Sequence, residues 1–288
     1  MSARNEAAFT EAFNRELFDR RFDSFEPSER ECARVAWTRQ HVPVGVSTVL
    51  DVGSGHAGLA NRLAAEGYRV TGLDVSVVSL KRVRAHRVQG SALSLPFMAE
   101  AFDLVVCAEV IEHLSGDERR RCLDELWRVA RRHVLITVPD NEDLDANLVR
   151  CDRCGYVFNA WGHVARFDGR SVRTLFDLPP AAAVVTLGFP EPSYWPPLRY
   201  IRRRLLCTYG HEEHLVCPHC LNDRFVPPQR SLAVKVLDRI NYYIAPQRQV
   251  GWLMAIWEKP AVQDRALSES GASHAQDRPT RKGEALPR

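Results

Sequence analysis

Across residues 48–139 the chain alternates short β-branched runs with helical segments, and this alternation restricts the fold more than any other feature. "TVLDV" reads as a strand, "AGLANRLAAEG" as a helix stopped by Gly67, "YRVTGLDVS" as a second strand and "SVVSLKRVRAH" as a helix. A poor third strand lies near "RVQG", "DLVVCAEV" is a fourth, "GDERRRCLDELWRVARR" a long amphipathic helix and "HVLITVP" a fifth strand. Strands alternating with helices imply an α/β fold with a doubly wound, mostly parallel sheet. Beyond Pro139, "DGRSVRTLFDL" reads as helical, and "AAAVVTLGF" and "GWLMAIWEKP" supply strands six and seven. Residues 5–40 read as one or two helices, with Phe9, Phe13, Leu17, Phe18 and Phe22 at helical spacing.

At 288 residues the chain can bury one large core, or one core and a small accessory module. The expected organisation is a helical cap over residues 1–44, a core over 45–190 and 248–260, insertions at 151–165 and 191–247, and a disordered tail over 261–288. About sixty Pro-, Arg-, His- and Cys-rich residues between the last two strands are too many for a simple connection. A net charge of +3 makes no electrostatic case for a nucleic-acid partner. No stretch reaches the ~18 apolar residues of a membrane span, and the first residues lack a signal-peptide apolar region, so a cytoplasmic protein is expected.

The first strand runs into "VGSGHAG", where Gly53, Gly55 and Gly58 follow the G-x-G-x-x-G spacing. Such a turn brings backbone close to a ligand at a helix N-terminus. Asp74, 21 residues after Gly53, ends the second strand, where a carboxylate can accept both hydroxyls of an adenosine ribose. Both features suit NAD and S-adenosylmethionine alike. Asp51, two residues before Gly53, stands inside the strand, where dinucleotide folds usually carry an apolar residue. A carboxylate there can organise the loop and face a cationic methionyl group.

The stretch "ALSLPFMAEAFDLVVCAEVIEHL" (residues 92–114) adds Leu95-Pro96-Phe97, Phe102-Asp103 and the run from Glu109 to Leu114. With "VLDVGSGHAG" and "GLDVS" ahead of it, this resembles the class I S-adenosylmethionine-dependent methyltransferases over roughly residues 45–140. The resemblance implies a Rossmann-like seven-stranded sheet and S-adenosyl-L-methionine as cofactor. It implies Asp51, Gly53, Ser54 and Gly55 as the cofactor loop, Asp74 as the ribose acid with Val75 beside the adenine, and Glu109 at the methionyl pocket. Ser91-Ala92 stands where the family has an acid that reaches the adenine amino group, so the charge there is missing. Asp103 is equally suited to capping a strand, and His56 is expected on the exposed side of the loop. Glu112 and His113 divide evenly between packing and the substrate mouth. His163, in "GHVARFD", resembles a segment that borders the acceptor pocket in this branch.

Four of the eight cysteines form two C-x-x-C pairs, Cys151 with Cys154 and Cys217 with Cys220. Each pair can give two thiolates to one tetrahedral Zn2+. Sixty-two residues separate Cys154 from Cys217, but both insertions leave the same edge of such a sheet, so the pairs can meet in a closed structural site above the active site. A redox dithiol at "CPHC" and four unconnected buried thiols are the alternatives, and His163, His211, His214 or His219 can replace a cysteine as ligand. "RYIRRRLL" (residues 199–206) is a solvated helical face, or a surface for an acidic acceptor or membrane.

These readings converge on a methyltransferase for a small-molecule, lipid or saccharide acceptor, acting at O or N, with His163 and His113 as candidate general bases. An NAD-dependent oxidoreductase and a non-catalytic binding protein on the same fold are the alternatives.

Overall fold

Two helices precede the sheet, α1 (Glu11–Asp23) and α2 (Glu29–Gln40). The Ser28 hydroxyl starts α2 by accepting the Glu31 N–H, and Glu29 and Glu31 set negative charge on its first turn. The computed structural model describes residues 11–23, 26–181, 184–210, 214–227, 229–245 and 247–260. Phe9, His211 and the tail at 261–288 lie outside the described residues.

The alternation then runs β1 (Thr48–Val52), α3 (Gly58–Ala65), β2 (Arg69–Asp74), α4 (Val77–Leu80), β3 (His86–Gln89), β4 (Phe102–Ala108), α5 (Gly116–Val129) and β5 (Ala130–Pro139). A hairpin follows, β6 (Leu148–Arg150) and β7 (Val157–Asn159), then α6 (Gly169–Arg173) and β8 (Val185–Pro192). The last elements are α7 (Pro196–Tyr200), α8 (Leu232–Ile244) and β9 (Gln247–Glu258). Seven strands order as β3-β2-β1-β4-β5-β9-β8. The first five are parallel, and β9 runs antiparallel to both its neighbours. The order reverses between β1 and β4, and ligands of such sheets bind outside the strand ends at that switch point.

The central strands are buried on both faces. Leu50, Val105 and Ile136 pack on Leu123, Leu126 and Val129 of α5, while Val49, Leu104 and Leu135 face Val35 of α2 and Leu63 of α3. Trp257 of β9 is fully buried, edge-on to Phe176 at 4.9 Å, and donates its indole N–H to Leu178 O at 3.1 Å. Trp257→Ala therefore removes a large apolar surface and orphans a carbonyl. A loss of about 4 kcal/mol in denaturant unfolding is expected; a loss under about 1 kcal/mol contradicts this packing.

The structure shortens three expected helices. Of "SVVSLKRVRAH" only α4 forms, because the Asn61 carboxamide takes the Arg84 N–H and donates to Arg82 O, satisfying backbone outside a helix. "GDERRRCLDELWRVARR" ends at Val129, since Ala130 already pairs with Phe102 of β4. "DGRSVRTLFDL" reduces to the five residues of α6, capped by Asp168. The 191–247 segment carries an unanticipated helix, α8, started by the Ser231 hydroxyl. Nor is 199–206 simply a solvated face. Arg199 pairs with Asp143, Arg202 with Asp238, and Arg203 donates to Ala146 O, so three arginines tie this segment to its neighbours.

A second, smaller core joins the N-terminal helix to the cysteine-bearing segments: Phe13 and Leu17 of α1 pack with Val149, Phe158, Leu215 and Cys217. Among the described residues no helix is long and apolar enough to cross a membrane.

Candidate active site

Past β1 the backbone turns through Gly53, at φ +70°, whose N–H donates to Leu73 O at 2.8 Å. A Cβ at this position would stand 2.3 Å from Val110 Cγ2, so only glycine lets β1 and the β4 loop approach this closely. Gly55, at φ +51°, aims its N–H at Asp74 Oδ2 at 2.8 Å, and the Ser76 N–H takes Oδ1 at 2.8 Å. Asp74 is thus held at the end of β2 by two backbone donors, with lone pairs left for a ligand.

Gly53, Gly55, Asp74 and Val75 line a crevice of about 100 Å3, which Ser91, Ala92 and Glu109 complete. The Ser91 hydroxyl already accepts the Leu93 N–H at 3.1 Å. Phe18 and Phe22 of α1 roof the crevice, and the Asp19 carboxylate accepts the Ser76 hydroxyl at 2.5 Å, latching α1 over the end of β2.

The crevice continues into a cavity of about 740 Å3, since both are lined by Gly53, Gly55, Glu109 and His113. Asp51 and Ser54, grouped with the crevice residues from sequence, open on this wider cavity instead. His56 also lines it and is half-buried, which corrects its expected exposure. Asp103 is structural: it accepts the Ser47 and Thr48 N–H groups at 3.0 and 2.9 Å and pairs with Arg131.

Burial governs the acids. It pushes Asp51 up to about 7 and Asp74 up to about 6, against Arg34 for the first and the Ser76 and Gly55 N–H groups for the second. Burial likewise raises Glu109, although Thr137 and Trp252 donate to it at 3.2 and 2.6 Å. Arg34, buried in α2, pays for desolvation, yet Glu109 and Glu31 outweigh it and raise its pKa. Arg34 also lies 5.8 Å from the Trp252 ring centroid. Arg34, Glu142 and Trp252 are not marked by anything in "ECARVAW", "NEDLDAN" or "GWLMAIWEKP", because their role comes from position alone.

His163 and His113 meet at the junction of the two spaces, with ring centroids 4.7 Å apart. The Nδ1 of His163 lies 2.5 Å from a Glu142 carboxylate oxygen, and both rings line the wide cavity. Burial pushes His113 well below its usual range.

The two cysteine pairs come together despite their separation. Cys151 Sγ lies 3.7 Å from Cys220 Sγ, Cys154 Sγ lies 3.6 Å from Cys217 Sγ, and all four sulfurs fall within 4.8 Å of one another. The knuckles match: Gly155 (φ +73°) donates to Cys151 O and Leu221 (φ +54°) to Cys217 O, both at 2.9 Å. His219 instead stacks on Tyr156 at 5.4 Å. The cluster belongs to the small core under α1, beside the roofing helix.

Residues 50–138 match the family described as methyltransferase domain. The ubiquinone biosynthesis O-methyltransferase of Stutzerimonas stutzeri is 31% identical over 120 residues, 38% of this chain and 51% of that protein. The enzyme of the same name from Paracidovorax citrulli is 34% identical over 92 residues, 28% of this chain and 39% of that one. The chain thus spans about half the length, or less, of these curated relatives. Among solved structures, a SAM-dependent methyltransferase of Methanosarcina mazei aligns with TM-score 0.42 at 12% identity, over 76% of this chain and 95% of that one.

Proposed function

We propose that the chain, whose residues 50–138 match a methyltransferase domain, is a class I S-adenosylmethionine-dependent methyltransferase that moves a methyl group from that cofactor to a small-molecule, lipid or saccharide acceptor. The observation carrying this reading is the continuity of the Asp74 crevice with the wide cavity, which gives a donor and an acceptor one shared wall. Oxygen is the favoured acceptor atom, since the relatives are named O-methyltransferases.

The residues fit the cofactor. Asp74 would take the ribose hydroxyls, Val75 and Ala92 would flank the adenine, and Ser91 would meet its amino group. Gly53, Ser54 and Gly55 would pass under the ligand, with Glu109 and Asp51 beside the cationic amino-acid end. A ligand larger than the 100 Å3 crevice reaches into the wider cavity. The bound cofactor supplies an electrophilic methyl on sulfonium, so the chain's own task is largely alignment. A hydroxyl acceptor must also lose a proton, and His163 and His113 are the basic groups read at that wall.

The same reading assigns Cys151, Cys154, Cys217 and Cys220 to one structural Zn2+, which ties the 151–165 and 191–247 insertions into one module under α1. Four sulfurs within 4.8 Å of one another and two matching knuckles support this over a dithiol.

Titration with S-adenosylhomocysteine and, separately, NAD tests the cofactor; tight binding of NAD alone would return the chain to the oxidoreductases. If the homocysteine product binds but no labelled methyl reaches any extracted metabolite, a binding protein is left. The titration should depend on pH. Both acids must ionise to hold the ligand, so affinity is expected to fall about a hundredfold from pH 7.5 to 5.5. Stability runs the other way. The folded values exceed the usual carboxylate range, so each acid's contribution is full below about pH 4 and is lost as pH rises through about 6 to 7. An affinity flat with pH contradicts the assignment of these acids.

A further inference from the structure

The helix that roofs the crevice hides a polar group that no contact within the chain explains. Asn14 of α1 is 7% exposed, and its Oδ1 is buried without a hydrogen-bond partner among the described residues. A buried acceptor left unpaired is destabilising, whereas a leucine of similar size would fill the same place without that cost. The carboxamide therefore suits a partner from outside the chain.

Its position says which partner. Asn14, Phe18 and Phe22 stand four residues apart on one face of α1, and all three line the Asp74 crevice. Phe22 covers the glycine turn, since a Cβ on Gly55 would lie 3.3 Å from its ring. Phe18 meets His113 edge-on at 5.2 Å. Asn14 is two turns from Phe22, about 12 Å along the helix axis. It shares the crevice with Ser91, Ala92 and Leu93, which follow β3. Two anchors fix the helix there: Asp19 accepts the Ser76 hydroxyl, and Arg21 donates to Ala160 O at 3.2 Å.

We infer that the Asn14 carboxamide reads the 6-amino edge of the cofactor's adenine, a specificity-determining contact delivered by α1 rather than by the sheet. The inference rests on reading the crevice as the nucleoside end of the cofactor site and deepens that reading. The adenine amino group carries two N–H donors. Ser91 meets one of them. A single hydroxyl that already accepts the Leu93 N–H at 3.1 Å does not satisfy both, and Asn14 Oδ1 takes the other. A carboxamide also sets a donor beside its acceptor, which matches the ring nitrogen next to the amino group and makes asparagine a natural reader of adenine. The roof thus divides its work: Phe18 and Phe22 cover the ligand, and Asn14 selects its base.

Calorimetric titration of the whole chain with S-adenosylhomocysteine, and with its 6-deamino analogue that lacks only the amino group, completes a double-mutant cycle with Asn14→Leu. The wild-type chain is expected to bind the deamino analogue about tenfold more weakly, because the buried acceptor is then left unpaired. Asn14→Leu is expected to lose about tenfold toward S-adenosylhomocysteine and to bind the two ligands within about threefold of each other. Its thermal midpoint without ligand stays at or above the wild-type value, which a residue kept for packing would not allow. Asn14→Asp keeps the acceptor and is expected to restore the preference for the amino group. If Asn14→Leu does not fold, Asn14→Ala takes its place in the cycle. A wild-type chain that binds both ligands equally, or a folded Asn14→Leu chain that keeps the tenfold preference, overturns the inference while leaving the crevice reading intact. A wild-type chain that binds neither ligand overturns the crevice reading, and the inference with it.

Discussion

Asp74→Ala is expected to weaken binding of S-adenosylhomocysteine by about a hundredfold while leaving the chain folded. The carboxylate stands at the end of β2 with two backbone donors fixing its plane, so it meets a ribose diol without reorganising. Two hydrogen bonds to a charged group contribute about 1.5 kcal/mol or more each, and every ~1.4 kcal/mol is tenfold in affinity. The fold tolerates the loss because burial already disfavours the ionised acid. Asp74→Asn keeps one acceptor and the shape, and about a tenfold loss is expected. Calorimetric titration decides, with thermal midpoints as the control. An Asp74→Ala chain that binds the homocysteine product as tightly as the wild type removes the basis for the cofactor reading.

Cys217→Ser is expected to abolish zinc at the four-cysteine cluster and to lower the thermal midpoint by about 10 °C. Loss of one ligand opens a closed tetrahedral site, and structural zinc contributes directly to folding. A few kcal/mol in a chain of this size converts to a shift of that order. The consequence reaches the cleft. Cys217 shares a core with Phe13 and Leu17, and the same helix carries Phe18 and Phe22 over the Asp74 crevice. Cofactor affinity should therefore drop as well, although Cys217 touches neither cavity. Cobalt exchange isolates the effect, because intense thiolate-to-metal absorption comes only from the cysteine cluster. A Cys217→Ser chain with unchanged metal content and midpoint would mean the four thiols are unconnected.

The switch between period-2 and helical patterning shows where the strands of the sheet lie, and "RVQG" was recognisable as a strand even at four residues. Helix ends were less legible. Asn61 caps backbone twenty-odd residues downstream, and Ala130 leaves α5 for β5 because Phe102 is there to pair with it. Both are decisions made by a distant partner. The helix α8 is hard to read for a different reason: its flanks are irregular, and six of its thirteen side chains, at Leu232, Val236, Ile240, Tyr242, Tyr243 and Ile244, are large and hydrophobic yet exposed.

Local order along the chain was enough to specify the parallel sheet, the glycine turn and the acid that follows it. These depend on residues close in sequence, whose backbone preferences and spacing act whatever else the chain does. The distribution of Asp51 and Asp74 between two connected spaces, the meeting of the cysteine pairs, and the approach of His163 to Glu112 and His113 were settled only by folding. In each of these, segments separated by tens of residues must converge, and loop closure is paid for by burial in a shared core rather than by any local signal. Arg34 and Glu142 are the plainest instances. They are ordinary surface-type residues in the sequence, and the cavity that gives them a role exists only once the sheet and its helices have packed.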